Sequence, residues 1–160
     1  MTGISNGKLG MMLLVGTETV LFSTFIGAYL VLRGAAAAWP PLGTPHLSLD
    51  LSIINTALLL LSTVLAFRRR LGWTFLLGAL FLVLQAVEFH RLYARGLTLQ
   101  TGPYGALFYS LITCHGIHVL GGLVILAVAL RKAAWADNAE LYWHFVTAVW
   151  LVLFSILYIA

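Results

Sequence analysis

The sequence predicts an all-α integral membrane protein: five transmembrane helices in an antiparallel bundle, with the N-terminus inside and the C-terminus outside. Three observations predict it. Hydrophobic residues make up 61% of the 160-residue chain and charged residues only 9%, against roughly 25% charged in a typical soluble domain. The mean hydropathy is +0.99. The apolar residues fall into five runs, each long enough as a helix to cross a hydrocarbon core of about 30 Å. These totals exclude a soluble globular domain. The net charge of +4 sits in short clusters between the runs, where it speaks for membrane topology rather than nucleic-acid binding. The single cysteine, Cys114, excludes an intrachain disulfide framework and thiolate zinc sites.

The chain reads as one membrane domain, 1–160, with spans at about 9–32, 49–67, 73–92, 104–130 and 141–160. Lys8 leads directly into the first span without a small-residue cleavage pattern, so no removable signal peptide is expected. The first span holds one acid, Glu18. After it, Trp39, Pro40, Pro41 and Pro45 break the helix. The second span ends at Arg68-Arg69-Arg70 and the fourth at Arg131-Lys132. The third is polar at its far end, with Gln85, Glu88, His90 and Arg91. With five spans, Lys8, Arg68, Arg69, Arg70, Arg131 and Lys132 fall on one side of the membrane, and Arg33, Arg91 and Arg95 on the other. This excess places the N-terminus inside.

Polar residues within apolar spans are the candidates for function, because lipid offers them no partner. Two readings of Glu18 stand at this point: a proton-handling, carbodiimide-reactive carboxyl, or a neutral, hydrogen-bonded acid that ties the first span to its neighbours. The fourth span carries Cys114-His115-Gly116-Ile117-His118 followed by Gly121-Gly122. Residues three apart on a helix are separated by roughly 60°, so His115 and His118 are expected to address one region. They form either a metal or haem pair, or a contact hub with histidines bonded across helices and glycines admitting another backbone. No acid lies within a turn of either histidine, so the Glu-x-x-His arrangement of di-iron bundles is absent.

Gln85, Glu88 and Arg91 share a face of the third span and are read as a second polar network, in which Glu88 and Arg91 are placed to pair along the helix. Asn55, with Ser52 and Thr56 nearby, is read as interhelical glue. Tyr142 and Trp143 suit the aromatic belt at the headgroups, and His144 is read as interfacial or as an axial haem ligand. Glu18, Glu88, His115, His118 and His144 together contain enough ligands for a di-metal site. Their unlike depths prevent all five from meeting at one metal, although a subset with His115, His118 and a carboxylate stays open. No catalytic residue and no metal site is assigned.

Taken in order, these residues resemble subunit III of the haem-copper terminal oxidases, the family shared by cytochrome c oxidases and bo-type quinol oxidases. Thr17-Glu18-Thr19-Val20-Leu21-Phe22 is similar to the family's Ser-Glu-Val-Leu-Phe-Phe. Ile54-Asn55-Thr56 resembles its Leu-Asn-Thr segment, and Gln85-Ala86-Val87-Glu88-Phe89 its Gln-Ala-x-Glu-aromatic element. Tyr104-Gly105, His115-Gly116-Ile117-His118-Val119 and Tyr142-Trp143-His144-Phe145-Val146 are similar to its Tyr-Gly, His-Gly-Leu-His-Val and Tyr-Trp-His-Phe-Val signatures. The resemblance implies the short, five-helix form. It implies a non-catalytic accessory subunit that supports assembly, stability and proton uptake while the complex reduces oxygen to water. It implies no cofactor in this chain, haem and copper in the partner subunits I and II, bound phospholipid, and a bacterial plasma membrane. Glu18 matches the family's carbodiimide-reactive glutamate. One departure is Thr147, where the family usually has Asp. An accessory subunit of a nitric oxide reductase is the related alternative.

Overall fold

The computed structural model describes residues 6–45, 47 and 49–159. Residues 1–5 of the expected domain and Ala160, the end of the fifth expected span, lie outside them. Five long helices make up the fold: α1 (Asn6–Ala35), α2 (Leu49–Phe67), α3 (Leu71–Ala94), α4 (Pro103–Arg131) and α5 (Ala136–Phe154). A 3₁₀ turn at Ala133–Trp135 precedes α5, and a π-helical turn at Ser155–Ile159 continues it. The described residues contain no strand. Each of the five helical stretches is long and apolar enough to cross a membrane.

The helices start and stop where the backbone chemistry changes. At the end of α2, Arg70 N–H bonds Leu65 O and Arg69 N–H bonds Ala66 O, both at 2.9 Å. This is a Schellman closure with Arg69 in the left-handed region at φ 55°, a position that ordinarily selects glycine. The same closure ends α3, where Leu97 N–H bonds Leu92 O at 3.1 Å and a glycine, Gly96 at φ 93°, takes the turn. The Arg69 side chain is tied down instead: its guanidinium lies 2.7 Å from Asp137 Oδ1 and 3.1 Å from Glu140 Oε2 in the first turns of α5. The hydrogen bond to Asp137 raises the Arg69 pKa further above its ordinary value, so the guanidinium stays charged. This polar turn is why α5 begins at Ala136, ahead of the apolar run that starts near residue 141.

Helix α5 packs against α1, α2 and α4; α2 packs on α3, and α3 on α4. Helix α1 lies at the edge on α4 and α5, burying only Met11, Phe22 and Tyr29. Lipid surroundings remove most of the hydrophobic drive for helix association, so close packing and interhelical hydrogen bonds carry it. Hydroxyls along α2 supply the bonds. Trp143 Nε1 donates to Ser62 Oγ at 2.9 Å, Trp150 Nε1 donates to Thr56 Oγ1 at 3.0 Å, and Thr63 and Thr147 share a hydroxyl bond of 2.6 Å.

Trp143 also uses the glycines. A methyl group on Gly78 of α3 would collide with the indole, and one on Gly122 of α4 would lie 3.0 Å from Trp143 Cε3. The expectation that the α4 glycines admit another backbone is therefore corrected for Gly122: it admits an aromatic ring. Trp143 is 0% and Tyr142 5% exposed, so both lie inside the bundle rather than in a headgroup belt. Their spacing in α5 turns them toward α4 rather than outward.

Gly78→Ala overpacks the indole site and is expected to lower stability by about 1–3 kcal/mol. Gly72→Ala, on the same helix where a methyl group meets open space, is expected to be neutral or to gain up to about 1 kcal/mol. Unfolding midpoints of the two variants in detergent check the contrast.

Candidate functional site

The described residues hold two separate polar centres. In the first, Glu18 of α1 meets His118 of α4, with Oε2 and Nε2 2.8 Å apart. The other ring nitrogen, Nδ1, lies 2.7 Å from the carbonyl oxygen of Cys114. A carbonyl only accepts, so Nδ1 carries a hydrogen. In the neutral ring Nε2 is then bare and accepts a hydrogen bond from the Glu18 carboxylic acid. In the charged form the same proton sits on Nε2 and the carboxyl is ionised. Either way one proton lies between the two groups, and the pair can hold or shift it without changing its heavy-atom contacts. The pair is only partly enclosed, with side-chain exposures of 12% for His118 and 23% for Glu18. The Phe22 ring packs edge-on against His118 at 4.9 Å.

His115 does not join the pair. Its ring is 1% exposed and stacks on Trp150 at 5.2 Å, with Phe81 and Phe22 edges at 6.0 and 6.4 Å. Neither of its nitrogens has a hydrogen-bond partner among the described residues. The expectation that His115 and His118 address one region is thus corrected. The angular offset between them suffices to send one ring to α1 and the other among the aromatics of α3 and α5. Among the described residues no three His, Cys, Asp or Glu side chains lie together as a metal site.

The second centre joins α2 to α3. Ser52 Oγ donates to Glu88 Oε1 at 2.9 Å, Asn55 Nδ2 donates to Gln85 Oε1 at 3.1 Å, and Gln85 Nε2 lies 3.5 Å from Glu88 Oε2. Asn55 thus belongs to the same network as Gln85 and Glu88. Arg91 is exposed, and no ion pair joins it to Glu88 among the described residues. The expected pairing along the helix is corrected, because Glu88 turns inward to α2 while Arg91 stays on the outer surface. The His144 ring packs on Phe67 at 4.0 Å, tilted by 32°, and lies 3.6 Å from Glu140 Oε1, at the Arg69 end of the bundle.

Sequence reasoning missed Tyr158, whose hydroxyl faces Ser52, Gln85 and Glu88. It also missed Tyr29, which donates to Ile156 O at 3.2 Å and accepts from Trp39 Nε1 at 2.9 Å. A tyrosine inside an apolar run was the available signal in both cases, since a buried phenol needs a partner.

The family model described as cytochrome c oxidase subunit III matches residues 2–160. The chain belongs to that family. It is 36% identical to cytochrome c oxidase subunit 3 of Alkalihalophilus pseudofirmus, over 96% of this chain and 86% of the relative. It is 35% identical to the subunit of the same name from Bacillus subtilis, over the same shares. It is also 32% identical to cytochrome bo(3) ubiquinol oxidase subunit 3 of Pseudomonas putida, over 94% of this chain and 84% of that one.

Membership in the subunit III family gives the Thr147 departure a structural reading. The Thr147 hydroxyl is bonded to Thr63 of α2 and donates to Trp143 O at 3.0 Å. A neutral pair therefore occupies the contact between α2 and α5.

Glu18→Ala leaves His118 Nε2 without its partner and is expected to cost about 1–3 kcal/mol. Glu18→Gln retains a donor to Nε2 and is expected to cost less than about 1 kcal/mol. Equilibrium unfolding of both variants in the same detergent measures the difference.

Proposed function

We propose that this chain is the non-catalytic accessory subunit III of a haem-copper terminal oxidase, in a complex that reduces oxygen to water and couples this to proton translocation. The observation that carries the proposal is the family match along nearly the whole chain. Relatives named as third subunits of cytochrome c and ubiquinol oxidases add to it. Haem and copper then belong to partner subunits, the catalytic subunit I and subunit II, with no cofactor in this chain. The helices run antiparallel in the bacterial plasma membrane, the N-terminus inside and the C-terminus outside. The basic residues at 8, 68–70, 131 and 132 support that orientation.

The helix pack buttresses the catalytic subunit and orders lipid. An apolar groove of about 380 Å³ between α3 and α4, lined by Leu82, Ala86, Phe89, Ile112, Ile117 and Leu120, suits a phospholipid acyl chain. Glu18 and His118 tune local proton access, because their shared proton lies on the edge helix, α1, partly open to whatever adjoins it. Gln85, Glu88 and Asn55 form a separate network. Tyr142 and Trp143 hold the helices together, and His115 is a packing residue.

Purification of the tagged chain in mild detergent is expected to bring down a haem-bearing partner, identified by mass spectrometry and a haem spectrum. A haem partner that reduces nitric oxide and not oxygen would replace the oxidase reading. In the purified complex, Glu18→Gln is expected to speed turnover-dependent inactivation and slow proton uptake. If both were unchanged, Glu18 would have no part in proton access.

A further inference from the structure

The oxidase reading leaves the Glu88 centre without a task, and that centre adjoins a cavity. Glu88 is 1% exposed, and its oxygens face the neutral groups of Ser52 and Gln85. Tyr158, on the π-helical turn after α5, brings its hydroxyl to the same cluster without closing a hydrogen bond of ordinary geometry. Tyr158 also lines a cavity of about 270 Å³ with Pro40, Pro45, Leu49, Tyr104 and Ile159. One side chain thus stands between a buried carboxyl and that cavity. The turn carrying it is held from α1, where Tyr29 donates to Ile156 O and is itself bonded by Trp39. Helical turns of this wide type recur at functional sites.

The groups around Glu88 can be named element by element. Helix α2 presents Ser52 and Asn55, both neutral. Helix α3 presents Gln85 and, one turn on and exposed, Arg91, whose charge acts on Glu88 from a distance. The C-terminal turn presents Tyr158, and Tyr104 of α4 lines the cavity. Among the described residues no cation pairs with Glu88. A carboxylate so enclosed is costly to keep ionised.

We propose that Glu88 is a buried proton-holding site, separate from the Glu18–His118 pair, and that Tyr158 is the gate through which it exchanges protons with water in the cavity. In one exchange the Tyr158 hydroxyl gives its proton to the Glu88 carboxylate and takes one from a hydronium ion on the cavity side, which is left as water. The phenol ends unchanged and one proton has moved inward; the reverse sequence releases it. The inference rests on the packing of this chain and not on the identity of its partner subunits.

Infrared spectroscopy of the purified complex tests it. A protonated-carboxyl stretch that Glu88→Gln removes and Glu18→Gln leaves in place is expected. In heavy water that band is expected to shift in the wild type, and on the order of tenfold more slowly in Tyr158→Phe, which keeps the ring and removes the relaying hydroxyl. Persistence of every such band in Glu88→Gln would overturn the proton site. An exchange rate in Tyr158→Phe equal to or faster than the wild type would overturn the gate. Should Glu88→Gln not assemble, Ser52→Ala removes the hydroxyl on the same carboxyl oxygen. It is then expected to move the frequency of one carboxyl band that Glu18→Gln does not affect, and the absence of any such shift would overturn the site.

Discussion

The Trp143 indole reaches three neighbouring helices at once. Its N–H donates to Ser62 of α2, one part of the ring covers Gly78 of α3, and another covers Gly122 of α4. In lipid the usual gain from burying apolar surface is largely absent, since an exposed leucine is already in an apolar medium. A large ring seated against two glycines restores contact area that no pair of leucines on straight helices reaches. The indole nitrogen adds direction, because it has to find a hydroxyl. The remaining bonds between α2 and α5, Thr56 with Trp150 and Thr63 with Thr147, align with this anchor.

Helix α1 obeys a different constraint. It lacks such a wedge and meets the others through Phe22, the Glu18–His118 pair and the Tyr29–Ile156 bond. Its acid is therefore partnered and yet near the edge of the molecule. A fully enclosed acid would exchange protons slowly, and a fully lipid-exposed one would be costly. The arrangement of Glu18 lies between these limits. Glu88 is at the enclosed limit, and its communication with water depends on the tyrosine beside it.

Much of the fold was legible in the sequence. Composition and the lengths of the apolar runs report directly on the solvent a helix needs, so five membrane-competent helices could be read without any contact information. The importance of Glu18, Glu88, Asn55 and the histidine stretch was legible for the same reason: a polar group in an apolar run needs a partner. The identity of each partner was not. His115 and His118 look equivalent at a spacing of three, yet one bonds a carboxyl and the other stacks among aromatics. Trp143 and Tyr142 look like belt residues because they follow a polar turn, and they are buried because α5 turns that face toward α4. Tyr158 signalled only that a buried phenol needs a partner; that the partner is the Glu88 cluster depends on how the π-helical turn after α5 places the hydroxyl.

What the sequence determined by itself was the class of protein, the helices and the set of residues under electrostatic constraint, along with the motifs that tie the chain to the subunit III family. These are local properties: hydropathy, residue spacing and charge need no knowledge of neighbours. Only the tertiary structure decided which polar groups pair, that Glu18 meets His118 and not His115, and that a glycine receives a ring and not a backbone. Those outcomes depend on the rotation of each helix about its own axis. Packing sets that rotation, because a helix that is apolar on every side carries no amphipathic stripe to show which face turns inward.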